Sequence, residues 1–140
     1  MKLRPYLRFA QFYETDAMGI IYHANYIHWM EEARIDMMDQ LGWPYQRVHD
    51  AGLDFGVTEV HCHHRGMVRF GDTVAVQVTI TRLTPAKMEV GYRITDAKTG
   101  ELRAEGSTGH FFFDMAEQKP VALKRVLPEL YQLFAQYKEG

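Results

Sequence analysis

The stretch YETDAMGIIYHANYIHWMEEARIDMMDQLG, residues 13–42, decides how the rest of the chain must be arranged. From Asn25 to Leu41 it holds neither proline nor glycine, and apolar side chains recur at Tyr26, Ile27, Trp29, Met30, Ala33, Ile35, Met37, Met38 and Leu41. That spacing predicts a helix over 25–41 whose apolar arc needs cover on most sides. Asn25 is the expected N-cap, Gly42 the C′ residue, and Pro44 a stop just beyond. Upstream, Asp16-Ala17-Met18-Gly19 reads as a short turn, so a carboxylate stands before the positive end of a helix.

The 140 residues suit one domain, 1–140, large enough to bury a core without disulfide or metal. With 46% hydrophobic and 24% charged residues and a net charge of −2, the chain lacks the basic bias of a nucleic-acid binder. One cysteine, Cys62, leaves no internal disulfide and suits a reducing compartment. Charged and polar residues run through the first sixteen positions, and no apolar run reaches 18 residues. The expectation is a cytoplasmic protein with no membrane segment.

Outward from the helix, Tyr6, Phe9, Phe12 and Tyr13 among polar residues predict a first strand within 4–13. After Gly42 a loop is expected through Pro44 and Gly52, then a strand over 54–65. Residues 73–81 alternate cleanly, with Val74, Val76, Val78 and Ile80 on one face. Met88, Val90, Tyr92 and Ile94 repeat the pattern, and the turn at 96–100 leads to a last strand over 101–114. Such short turns imply antiparallel neighbours. Pro128 can open a short terminal helix bearing Leu130, Leu133, Phe134 and Tyr137. One long helix is therefore available to cover a sheet of about five strands. An α+β architecture follows, an antiparallel sheet wrapped around one long central helix.

The pattern Asp16-x-x-Gly19-x-x-Tyr22-His23-x-Asn25-Tyr26, followed by an apolar helix with Glu31 and Arg34, resembles the hotdog-fold acyl-CoA thioesterases. Specifically it is similar to the 4-hydroxybenzoyl-CoA thioesterase family and its YbgC-like branch. The resemblance covers nearly the whole chain, including Phe70-Gly71-Asp72 ahead of the third strand. It implies a hotdog fold and hydrolysis of an acyl-CoA, with coenzyme A as part of the substrate and no other cofactor. It also implies a homodimer or a homotetramer built from dimers. At the site it implies Asp16 as nucleophile or general base, the His23 peptide N–H as oxyanion donor, and Gly19, Tyr22, Asn25 and Tyr26 at the substrate. Arg82 and Lys87 flank the turn where family members contact the nucleotide. Thr84-Pro85-Ala86 between them carries no charge, so Arg65, Arg69 and Arg125 are the other basic candidates.

The chemistry suits so sparse a site. A thioester carbonyl is electrophilic and its leaving thiol has a pKa near about 8.5, so a carboxylate and N–H donors at a helix N-terminus suffice. Taken singly, Asp16 is a turn former, Gly19 a tight-turn residue and Asn25 a cap; Glu31 and Arg34 pair with each other or with strands. In His61-Cys62-His63-His64, alternation sends His61 and His63 to one strand face and Cys62 and His64 to the other, which argues against a metal site. Ser107, the only serine, lacks a nucleophile elbow, and Cys62 reads as a small buried hydrophobe. Two rivals remain: a non-catalytic acyl-CoA binding module, and a hotdog hydratase or dehydratase, which needs a His and acid pair and keeps His23 in view.

Overall fold

The computed structural model describes residues 2–139. Strand β1 (Tyr6–Phe9) and a 3-10 turn (Phe12–Glu14) precede helix α1 (Ala24–Gln40) and the short α2 (Tyr45–Asp50). Strands β2 (Leu53–His64), β3 (Thr73–Leu83), β4 (Lys87–Asp96) and β5 (Leu102–Asp114) follow. Then come β6 (Lys119–Val121), α3 (Leu123–Val126) and α4 (Pro128–Tyr137). Pairing between these strands is antiparallel, in the order β1-β3-β4-β5-β2, with β6 on β5.

The alternating strands hold α1 in place. Val74, Val76, Val78 and Ile80 of β3 and Met88, Val90, Tyr92 and Ile94 of β4 are buried against it, as are Trp29, Met30, Ala33, Met37 and Met38 of the helix. Each large apolar side chain among them contributes about 1.5–3 kcal/mol on burial, more than the spread of about 0.7 kcal/mol in helix propensity among ordinary residues, so packing fixes where α1 lies. The sheet curls around this helix, and α4 closes one end through buried Leu130 and Phe134, the latter 6.1 Å from Phe55 ring to ring. This is the hotdog arrangement.

Several sequence expectations change. The helix begins at Ala24 with His23 in the capping position, and Asn25 lies inside the first turn. Its side-chain Nδ2 donates to the carbonyl of Glu14 at 2.9 Å, because the end of the 3-10 turn passes beside the start of the helix. Gly42 does leave the helix with φ of 77°. The wide apolar arc divides: Ile27 and Ile35 remain 41% and 42% exposed. The first strand is only four residues long. The expected loop after Pro44 contains α2, and β5 is followed by β6 and α3. Bulges between Val57 and Glu59 in β2 and between Ile80 and Arg82 in β3 interrupt the registers.

Candidate active site

Asp16 sits at the tip of a tight loop between the 3-10 turn and α1. Thr15 and Ile21 form a bridge, Asp16 N donates to Ile20 O at 2.9 Å, and Gly19 N donates to Asp16 O at 3.0 Å. Gly19 takes a φ of 78°, which a residue with a side chain adopts only at a cost, so this turn needs its glycine. The Asp16 carboxylate accepts the Met18 N–H on Oδ1 at 2.9 Å. Among the described residues Oδ2 takes no hydrogen bond.

The loop closes one wall of a cavity of about 470 Å³, whose lining includes Asp16, Met18, His23, Tyr26, His64 and Met67. The His23 and Ala24 peptide N–H groups at the start of α1 have no acceptor among the described residues, as expected of a first helical turn. Unsatisfied N–H groups and the helix dipole favour negative charge at that point. Apolar Ile20, Ile21 and Met67 supply much of the remaining lining.

His64 enters this cavity from β2, although the alternation of its strand was the only hint of it in the sequence. Its ring stands edge-on to Tyr26 at 4.6 Å and 6.3 Å from that of His23. Partial burial, then the nearby His23 and His63 imidazoles, push its pKa below the ordinary histidine value, which favours the neutral ring. Cys62, on the same strand face, packs partly buried against the core. Burial raises its thiol pKa and disfavours the thiolate. His61 and His63 face the outer side of the sheet, where they and Ser107 line a separate shallow cavity.

The remaining sequence candidates are scattered. Tyr22 is exposed and its ring lies 4.4 Å from that of His23, outside the cavity lining. Gly19 and Asn25 shape the loop and its junction with α1. Glu31 is exposed, and Arg34 turns to β4, where its Nη1 donates to Tyr92 OH at 3.0 Å. Arg82 and Lys87 come together at a second cavity of about 370 Å³, with Thr58, Glu59, Glu89 and His110. The two cavities share no lining residue. Their β2 partners on β5 are Ala104 (opposite His64) and Gly109 (opposite Glu59), five residues apart. That is about 17 Å along a strand. Of the other basic candidates, Arg65 lines the Asp16 cavity while pairing with Glu105 at 2.9 Å.

A buried polar chain runs beneath the second cavity. Arg34 donates to Tyr92, whose hydroxyl lies 2.7 Å from Thr108 Oγ1, which in turn lies 2.7 Å from His110 Nε2. His110 Nδ1 lies 3.2 Å from the Gly56 carbonyl, an acceptor only. Nδ1 therefore carries the proton, Nε2 accepts from Thr108, and Thr108 accepts from Tyr92.

Residues 10–132, most of the chain, match the thioesterase-like superfamily. The chain belongs to that superfamily. Within it, the chain is 28% identical over 127 residues to a 1,4-dihydroxy-2-naphthoyl-CoA hydrolase of Thermosynechococcus vestitus, covering 90% of this chain and 86% of the relative. It is likewise 28% identical over 120 residues to the acyl-CoA thioester hydrolase YbgC of Escherichia coli, covering 85% and 89%. A crystal structure of a DHNA-CoA thioesterase from Staphylococcus aureus superposes with a TM-score of 0.89 at 28% identity, over 95% of this chain and 89% of that one.

Proposed function

We propose that this superfamily member hydrolyses the thioester of an acyl-CoA, releasing a free acid and coenzyme A. The observation that carries the proposal is the Asp16 carboxylate, tethered through one oxygen only, in a cavity that also meets the N-terminus of α1. The activities named for the hydrolases of T. vestitus and E. coli support it.

In this mechanism Oδ2 of Asp16 either attacks the thioester carbonyl carbon or takes a proton from the attacking water. The carbonyl oxygen gains negative charge beside the His23 N–H and the positive end of α1, which stabilise it. The intermediate then collapses by breaking the carbon–sulfur bond. Coenzyme A leaves as a thiolate, which needs little acid assistance; where water attacked, the acyl carbon keeps the water oxygen and the acid is free, and where Asp16 attacked, a second water hydrolyses the acyl–Asp16 anhydride, releasing the acid and restoring the carboxylate. Tyr26 and Met67 bound the acyl side of the cavity.

The nucleotide end is assigned to Arg82 and Lys87, which form no ion pair among the described residues. The β2 register of this site lies about 17 Å along the strand from that of His64 in the Asp16 cavity, and a second copy brings the two cavities together. Among the described residues strand β2 pairs only with β5, so its other edge is open, and its Val57 and Val60 are 50% and 38% exposed. Antiparallel pairing of two β2 edges about a two-fold axis near His61 sets Thr58 of one copy, which lines the basic cavity, against His64 of the other, which lines the Asp16 cavity, and so brings the two cavities side by side. The proposed assembly is accordingly a homodimer, or a homotetramer made of two such dimers; the proposed compartment is the cytoplasm. A panel of aromatic and aliphatic acyl-CoA thioesters, assayed for released thiol, tests the activity. Turnover of at least one is expected, and binding without thiol release from any would make the protein a ligand carrier instead.

A further inference from the structure

Glu14 is the least exposed acidic residue, at 3%, and it lies two positions before Asp16. Its carboxylate collects donors from three elements. Oε2 accepts from Arg8 Nη2 of β1 at 3.0 Å and from the Trp29 indole of α1 at 2.9 Å. Oε1 accepts the Gln11 N–H ahead of the 3-10 turn at 2.9 Å. Its peptide carbonyl is engaged too, by Tyr22 N at 2.8 Å and Asn25 Nδ2 at 2.9 Å. Tyr22 is the far end of the loop that carries Asp16, so one residue closes both ends of that loop and ties them to the helix.

A buried carboxylate is a poor choice for stability alone, since well-packed apolar residues in such positions are often as stable or more so. Arg8 does not require it, because Arg8 Nε also pairs with Glu32 at 2.8 Å. What the carboxylate provides, and an apolar side chain does not, is a fixed direction: three donors on two oxygens allow one placement of the backbone at Glu14 and therefore of Asp16.

We infer that Glu14 is the positioning residue for Asp16, holding the loop over the cavity through Arg8, Trp29 and the carbonyl contacts to Tyr22 and Asn25. This rests on the assignment of Asp16 proposed above. A carboxylate misplaced by about 1 Å loses about 100-fold in rate. Glu14→Gln replaces one oxygen with an N–H donor and so breaks at least one of the three bonds.

The experiment is a double-mutant cycle of Glu14→Gln and Asp16→Asn in the full chain, reading kcat and KM for one turned-over acyl-CoA at a temperature where every variant is folded. Glu14→Gln is expected to lower kcat by about 10- to 100-fold with KM within about twofold. In the Asp16→Asn background it is expected to change the residual kcat by less than about twofold, because the group it positions is gone. Equal losses in both backgrounds, or an undiminished kcat in Glu14→Gln, would overturn the inference. Near wild-type kcat in Asp16→Asn alone would remove the Asp16 assignment and the Glu14 role with it, a pattern distinct from the first two. If Asp16→Asn is too slow to measure, amide exchange decides: Glu14→Gln must speed exchange at Asp16 and Gly19 relative to β3 and β4, and unchanged exchange overturns the inference. Should Glu14→Gln fail to fold, Trp29→Phe removes one donor while keeping an aromatic ring, and the same cycle and outcomes apply to it.

Discussion

Met18 donates its peptide N–H to Oδ1 of Asp16 at 2.9 Å, so the carboxylate is oriented by its own loop and presents its second oxygen without a partner among the described residues. Asp16→Asn keeps the size and can keep the Met18 bond, but removes the charge that attacks the carbonyl or takes a proton from water. A kcat loss of about 10²- to 10⁴-fold is expected, with KM little changed. Asp16→Glu should also be poor, since the added methylene moves the carboxylate by about an ångström. Steady-state kinetics with folding checked by circular dichroism measures both. A folded Asp16→Asn variant keeping more than about half the wild-type kcat would leave Asp16 a turn residue only, and His23 the next residue to test.

Arg82 and Lys87 share a cavity remote from Asp16 within one chain. Contacts from these cations to coenzyme A phosphates would be screened by salt while the carbonyl chemistry would not. KM should therefore rise with ionic strength at nearly constant kcat, and Arg82→Ala or Lys87→Ala should reproduce a mild form of the same change. Unchanged KM in both variants would move the nucleotide to other cations, Arg65 first.

The open β2 edge and the exposed Val57, Val60, Ile27 and Ile35 predict that the chain pairs with itself. Strand edges left open in a small domain invite pairing, and pairing across a two-fold axis uses each edge once. Light scattering at micromolar concentration should give at least a dimer. Val60→Lys should weaken it and lower kcat/KM together, because the proposed substrate site spans two copies. A stable, fully active monomer would count against both the assembly and the shared site.

The parts of the fold readable from sequence are those with long periodic patterns. Helix α1 and strands β3, β4 and β5 each repeat their buried positions often enough to set a period. Helix α2 buries only Val48, and β6 is three residues long with Pro120 in the middle, so neither carries a period to detect. Of the residues that line the Asp16 cavity, Asp16, His23 and Tyr26 are legible because they are close in sequence. His64 and Met67 are not, because the folding of β2 over α1 brings them to Tyr26. The capping expectation for Asn25 fails for a local reason: its amide makes its bond as a donor to Glu14, a partner eleven residues back that capping rules do not consider.

The last prediction concerns His110, 3% exposed and without a role in the proposed hydrolysis. Burial first, and then the Arg34 cation, lower its pKa from 6.5 to about 4, against a smaller opposing effect of the Gly56 carbonyl. The folded state therefore keeps the imidazole neutral, accepting from Thr108, over a range in which the unfolded chain protonates it. Its contribution to stability is fully present above pH 6.5 and is lost as the pH falls toward 4. Between pH 7 and pH 4.5 the loss attributable to this residue is about 2 kcal/mol. Carboxylates titrate in the same range, so the comparison must be differential. His110→Gln can still accept from Thr108 or donate to Gly56 but does not titrate; it should be less stable at pH 7 by about 1–3 kcal/mol. Urea unfolding at both pH values should then show the wild type losing more stability than His110→Gln, the gap between them closing by about 2 kcal/mol at pH 4.5. Parallel losses in the two proteins would mean that His110 titrates normally and that the chain from Arg34 through Tyr92 and Thr108 does not hold it neutral.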